Sequence, residues 1–238
     1  AETPGAANPG GFMGIIPSML TYILLAMILV TMLFFTLTRL AVERIERAHH
    51  GQRTDFFKHY PVNAGDIVFV GDSITDGGCW DEMFPGVPLK NRGINADTTI
   101  GVLNRIDGIV RARPKAIFLL IGTNDLNSYT HRSNNEILAT YTSILERCAA
   151  LSPETRVFVQ SILPRRKNFT RRIQALNERL EALSSRFGYA FINLYPSFVN
   201  EEGGLRAEFT NDNLHLMAAG YLRWTELLQP YIKELTSN

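Results

Sequence analysis

Four short polar segments carry residue types that can do chemistry. Gly71-Asp72-Ser73 directly follows an apolar run, residues 66–71, so Ser73 falls at a strand-to-helix turn. A serine there can expose its hydroxyl on the rim of a sheet, with its own amide at a helix start. The same residues also fit a helix cap. Asp and Ser are favoured N-caps, and Ser73 followed by Asp76 has the capping-box spacing. This segment alone leaves both readings open. It is not a G-x-S-x-G elbow, because position 75 is Thr. Far downstream, Asp212 precedes His215 by three residues. That spacing can bring the carboxylate onto the imidazole Nδ1–H and leave Nε2 free as a base toward serine. Between these lie Asn91-Arg92-Gly93-Ile94-Asn95-Ala96-Asp97-Thr98-Thr99 and Gly122-Thr123-Asn124-Asp125. In the first, Asp97 or Thr98 can cap the next helix, and turn amides can face an oxyanion. The second fits a polar loop with Asx-turn chemistry, or supplies the Asn124 amide to the same oxyanion. Each segment alone is a common surface feature. In this order they supply nucleophile, donors, base and orienter.

The elements that must position them are strands alternating with helices. Strands are expected at 66–71, 89–94, 115–122, 156–161 and 190–194. Helices are expected at 98–112, 135–151, 170–187 and 217–235, with Pro230 kinking or breaking the last. The pattern predicts parallel βαβ units in an α/β fold: a three-layer α/β/α sandwich with a five-stranded parallel sheet over 61–238. Sites in such sheets lie at the carboxyl ends of the strands, where all four segments except Asp212–His215 fall. Trp80 fits either the core or a pocket wall. Cys79 reads as a passive thiol. The basic run from Pro164 to Arg172 fits either a solvated face or a surface that attracts anions.

The chain has 238 residues, 45% of them hydrophobic, which excludes a disordered chain. Lys and Arg number 24 against 23 Asp and Glu, so phosphate neutralisation does not point to nucleic acid. Two cysteines, Cys79 and Cys148, exclude a disulfide scaffold and a four-cysteine zinc site. The five histidines (His49, His50, His59, His131 and His215) lack H-E-x-x-H spacing. No metal and no organic cofactor is expected.

Residues 3–38 carry no charged side chain, and 12–40 form an apolar run long enough to span a bilayer core as one helix. A cleaved signal is the competing reading, but the run exceeds the about 7–15 residues of a signal core. The expected organisation is a tail at 1–11, a transmembrane helix at 12–40, a juxtamembrane stalk at 41–60 with its helix ending near Gly51, and the α/β domain. Glu43 and Arg47 are spaced for an i,i+4 pair. His49 and His50 are adjacent and point apart on a helix. Arg39, Arg44, Arg47, Arg53 and Lys58 follow the span, so the positive-inside rule favours an outer N-terminus and a cytoplasmic domain; the opposite orientation stays open.

Over roughly residues 60–235 the four segments together resemble the SGNH/GDSL hydrolase family, similar to bacterial platelet-activating-factor acetylhydrolase-like acylhydrolases. The resemblance implies a flavodoxin-like sheet and a serine esterase acting on a short acyl ester. It implies Ser73 as nucleophile, His215 as base and Asp212 as its orienter. It implies an oxyanion hole built from the Ser73 amide, the Ala96 amide and the Asn124 side chain. The family carries glycine where this chain has Ala96. Alanine keeps the N–H, but a turn with φ > 0 would strain it. The alternative function is an accessory, catalytically weak subunit of a larger membrane complex. Small and polar residues of the span (Gly14, Ser18, Thr21, Ala26, Thr31, Thr36, Thr38) would then pack on a neighbouring helix.

Overall fold

Short runs rich in Val, Ile and Phe pair as the expected sheet. The structure, a computed structural model, describes residues 19–127, 130 and 132–237. The expected tail at 1–11, the start of the expected span at 12–18 and His131 lie outside the described residues.

In chain order the elements are α1 (Met19–His59), β1 (Ile67–Gly71), α2 (Ser73–Asp76), α3 (Trp80–Met83), β2 (Leu89–Gly93), α4 (Thr99–Val110) and β3 (Ala116–Leu120). There follow α5 (Asn134–Leu151), β4 (Arg156–Gln160), α6 (Thr170–Arg186), β5 (Ala190–Ile192), α7 (Tyr195–Phe198) and α8 (Ala218–Thr236). The five strands are all parallel, in the order β2-β1-β3-β4-β5. The order reverses at β1, so the crevice between the ends of β1 and β3 is the topological switch point.

Alternation along the strands builds two cores. Val68, Val70, Ile117 and Leu119 join Val102 and Ile106 of α4, Ile137 and Tyr141 of α5, and Ile173 and Leu176 of α6. Ile67, Phe69, Phe118 and Phe158 face the other way, onto Trp80, Trp224, Leu228 and Ile232. Phe69, Phe118 and Phe158 stack across the sheet at 5.0 and 4.6 Å. Trp80 stacks on Phe69 at 3.8 Å and is buried, which makes it core rather than pocket wall. Truncating Phe118 would cost about 3–5 kcal/mol.

Three expectations change. Of the kink or break expected at Pro230, the break does not occur: α8 runs through it. Proline removes one backbone N–H, but Trp224 and Leu228 before it and Ile232 and Leu235 after it are buried and keep both halves packed. Strand β5 stops at Ile192 because the Ser161 hydroxyl accepts from the amides of Leu194 and Tyr195 and turns the chain into α7. Helix α1 passes Gly51 and ends at His59. Its final turns are held by Arg53, which pairs with Asp76 at 2.9 Å and lies over the Phe57 ring. The chain divides into compact units at Ile45/Glu46.

In the first unit, described from Met19, α1 is long and apolar enough to cross a membrane. Membrane anchors and signal sequences share that property. Its large apolar side chains are exposed, from Ile23 to Phe35 and beyond. The hydroxyls of Thr31, Thr36 and Thr38 donate back to the carbonyls of Met27, Met32 and Phe35, so the helix satisfies them internally.

Candidate active site

The turn after β1 is set by close backbone approach. A Cβ on Gly71 would lie 2.2 Å from the Thr75 Oγ1 and 2.3 Å from the Leu120 carbonyl, so only glycine lets α2 start there. Asp72 is the N-cap: its Oδ1 accepts from the Ile74 amide at 3.0 Å. This decides between the two readings of the Gly-Asp-Ser segment. The aspartate does the capping, and the Ser73 hydroxyl is left free. Its Oγ lies 2.9 Å from His215 Nε2.

His215 is positioned by its own loop. Asp212 Oδ2 lies 2.6 Å from His215 Nδ1, while Asp212 Oδ1 accepts from the amides of Leu214 and His215 at 2.9 and 2.8 Å. The i,i+3 spacing closes because Asn213 takes φ 64°, a left-handed conformation that asparagine tolerates. With a carboxylate on Nδ1, the hydrogen-bond network assigns the ring proton there and leaves Nε2 as acceptor for the serine proton. Burial pulls the Asp212 carboxyl upward, but the hydrogen bonds from the His215 ring and the two amides outweigh it and hold it at about 2.

Three donors face no acceptor. Ser73 opens α2, and neither its amide nor that of Ala96 donates to any described residue. Asn124 Nδ2 donates one proton to the Asp97 carbonyl at 2.9 Å and keeps a second N–H. Asn124 opens a 3₁₀ turn just past β3 and is thereby tied to the residue next to Ala96. Ala96 has φ 60°, so the turn does need the left-handed conformation, and alanine holds it at a cost of roughly 1–2 kcal/mol. Thr98, not Asp97, caps α4.

Beneath these groups lies a buried polar layer that local motifs did not announce. Asp97 pairs with Arg105 at 2.9 Å. Asp125, fully buried, accepts from the Thr99 amide and hydroxyl at 2.9 and 2.7 Å and from Arg132 at 2.5 Å. Asp72 is also fully buried. Burial, with Asp97 and Asp125 nearby and opposed by the Ile74 amide, raises its carboxyl to about 7. Arg105 and Arg132 follow their partners Asp97 and Asp125 by eight and seven residues, spacings that no motif rule marks.

The basic run after β4 is divided. Arg165 donates to the Thr123 carbonyl and Asn127 Oδ1, and Arg172 to Asn134 and the Leu126 carbonyl, so both brace the site loops. Arg166, Lys167 and Arg171 are exposed. A cavity of about 570 Å³ is lined by Gly77, Cys79, Met83, Leu216, Tyr221 and Leu222, the first and fourth of which follow α2 and His215 in the chain. Among the described residues no group of three His, Cys, Asp or Glu side chains could hold a metal ion.

Residues 69–223 match the GDSL-like Lipase/Acylhydrolase family. The alpha1 subunit of platelet-activating factor acetylhydrolase IB from Rattus norvegicus is 29% identical over 66% of this chain and 70% of its own length. A Streptococcus pneumonia protein provisionally described as a platelet activating factor superposes with a TM-score of 0.75 at 28% identity, over 83% of this chain and 99% of that one. A GDSL-like lipase from Bacteroides thetaiotaomicron gives 0.69 at 25% identity, over 77% and 97%. The sheet, the order of its segments and these likenesses agree: the chain belongs to the GDSL-like lipase/acylhydrolase family, the SGNH carboxylic ester hydrolases.

Proposed function

We propose that the protein is a membrane-anchored serine acylhydrolase in which Ser73, His215 and Asp212 form the catalytic triad. The observation that carries this reading is the continuous chain from Ser73 Oγ through the imidazole to Asp212, at 2.9 and 2.6 Å. Ser73 attacks the ester carbonyl as His215 Nε2 takes its proton. The tetrahedral oxyanion rests on the Ser73 amide, the Ala96 amide and the free N–H of Asn124. His215 then protonates the leaving alcohol. Water repeats the sequence and releases the acid. The base works as neutral imidazole, and a negative Asp212 keeps its proton on Nδ1.

The substrate class is a short acyl ester on a larger amphiphile. Relatives named for platelet-activating factor acetylhydrolase support the short acyl group. The cavity between Gly77 and Leu216 has apolar walls for the rest of the molecule. Residues 12–40 anchor the enzyme in the bilayer, and the basic flank favours a cytoplasmic domain. Protease added to intact spheroplasts should then spare the domain; its digestion there would reverse the orientation.

The test is hydrolysis of p-nitrophenyl esters, from acetyl to palmitoyl, by the detergent-purified full chain beside Ser73→Ala. The variant should lose at least about 1,000-fold in kcat with an unchanged melting temperature. Wild type should prefer the short esters. If both proteins were silent on every ester, the accessory-subunit reading would replace this one.

A further inference from the structure

The nucleophile sits on a very short element. Helix α2 runs only from Ser73 to Asp76, and a single turn does not hold itself in water. Asp72 caps its start. Its end is gripped from elsewhere. The Asp76 carbonyl accepts from Asn91 Nδ2 of β2 at 3.0 Å. The Asp76 carboxylate pairs with Arg53 Nη2 at 2.9 Å, and His49 Nε2 stands 3.6 Å from its other oxygen. Arg53 and His49 both belong to the end of α1, within the unit that begins at Glu46.

Arg53 does more than pair with Asp76. The Gly93 carbonyl, at the end of β2, accepts from Arg53 Nε and Nη2 in a long fork, at 3.4 Å each. Gly93 presses directly on α2: a Cβ there would lie 2.2 Å from the Asp76 amide nitrogen. Past Gly93 the chain makes one turn, closed by the Asp97 amide on the Ile94 carbonyl at 3.2 Å, and Ala96 lies inside that turn. One guanidinium therefore ties the far end of the Ser73 helix to the strand end that leads to Ala96. Its own aim is fixed. It lies 4.9 Å over the Phe57 ring, on which Arg92 of β2 also rests, at 4.5 Å. The Arg53 and Asp76 side chains are 24% and 19% exposed, so water screens this pair less than one on the open surface.

The two segments that Arg53 joins carry two of the three oxyanion donors of the mechanism above, the amides of Ser73 and Ala96. Two amides serve one oxygen only while their segments keep their spacing, and a displacement of about 1 Å can cost about 100-fold in rate.

We propose that Arg53 is a positioning residue for the hydrolysis, holding the Ser73 and Ala96 amides at the spacing that one oxyanion needs. This role rests on the triad reading of Ser73 and gives the end of α1 a part in the chemistry of the site.

The test compares the full chain in dodecyl maltoside with Arg53→Met, Arg53→Lys, Asp76→Asn and the double variant Arg53→Met/Asp76→Asn. Hydrolysis of p-nitrophenyl acetate gives kcat and KM. An alkyl trifluoromethyl ketone, to which the serine adds reversibly to form the same kind of oxyanion, gives an inhibition constant that does not depend on how much of the protein is folded. Arg53→Met should lower kcat about 10–100-fold with KM within about twofold, and weaken the ketone by a similar factor. Arg53→Lys, which keeps a charge for Asp76 but loses the fork to Gly93, should fall between wild type and Arg53→Met. Asp76→Asn should lose about tenfold in kcat, and the double variant no more than Arg53→Met alone, because both remove one link. An unchanged ketone constant in Arg53→Met would overturn the positioning role, whatever happens to its melting temperature, and leave Arg53 as a fastening of α1. Fully additive losses in the double variant would overturn the link through Asp76. Should Arg53→Met fail to fold, Arg53→Lys and Asp76→Asn decide by the same ketone constant. Activity kept in Ser73→Ala would remove the triad reading and this role with it. Wild-type kinetics in the Arg53 variants of an enzyme that Ser73→Ala silences would remove this role alone.

Discussion

Asp212 and Asp72 adjoin the same Ser73–His215 pair, one through a hydrogen bond and one through the chain, yet their carboxyls are shifted in opposite directions, down to about 2 and up to about 7. Asp212 stands on the rim with its side chain 45% exposed, and it accepts from the imidazole and two amides. Asp72 lies on the floor with no exposure, accepts from one amide, and keeps Oδ2 without a partner. Two neighbouring carboxylates add to its difficulty. The comparison teaches that donors and solvent, not residue type, decide which acid keeps its charge. The rim carboxylate works by being negative. The floor carboxyl caps a helix and can do so neutral.

Asp212→Asn tests the rim half and should have the largest effect. The amide can keep the two backbone hydrogen bonds through its oxygen. Its NH₂ then faces Nδ1 and drives the ring proton onto Nε2, where it blocks proton transfer from serine. We expect kcat on the best p-nitrophenyl ester to fall by about 10³–10⁴-fold with KM little changed. A loss below about tenfold would mean that the Asp212 charge does not orient the imidazole.

Asp72→Asn tests the floor half, through stability rather than rate. The folded-state carboxyl sits at about 7, above its ordinary value of 3.8. The folded state therefore binds this proton more tightly than the unfolded chain. Stability falls as pH rises from about 4 to about 7 and stays low above that. Asparagine carries no charge to lose and can keep the cap to Ile74. Relative to wild type, the variant should gain stability between pH 5 and pH 8, on the order of a few kcal/mol. Urea midpoints at the two pH values measure this. A difference that is flat with pH would remove the raised carboxyl. The sign is opposite at Asp212, whose depressed carboxyl adds stability above pH about 4 and loses it as pH falls toward 2.

The sequence made the rim legible and the floor almost opaque, for a physical reason. Ser73 and Asn124 each follow a recognisable strand, His215 stands just before the last helix, and Asp212 is held to His215 by local spacing. Parallel α/β topology then gathers the strand ends without further information. The floor depends on contacts across the chain. Arg132 reaches Asp125 from further along the same β3–α5 loop and Thr99 across to α4, and Arg105 reaches Asp97 from within α4, none at a motif spacing. Arg53 lies 23 residues before Asp76, its partner, which is why the helix carrying it runs on to His59 instead of ending at Gly51. Propensity alone placed a stop at a glycine and a kink or break at Pro230; tertiary contact overrode the stop, and burial on both sides carries the helix through the proline without a break.

Ala96 sits where rim meets floor, and Ala96→Gly should have the smallest effect. The sequence posed the question as a condition, and the backbone answers it: φ is 60°. Glycine would relieve roughly 1–2 kcal/mol of left-handed strain while giving back about 0.4–1 kcal/mol to the unfolded chain. The net gain lies between about 0 and about 1.6 kcal/mol, a rise of at most about 6 °C in melting temperature for a domain of this size. The amide that would meet the oxyanion stays where it is, because Asn124 holds the neighbouring Asp97 carbonyl at 2.9 Å. Turnover should therefore be unchanged or slightly higher. A marked drop would assign the alanine methyl a part in shaping the acyl site, and the strain would then be the structural cost of specificity rather than a tolerated departure from glycine.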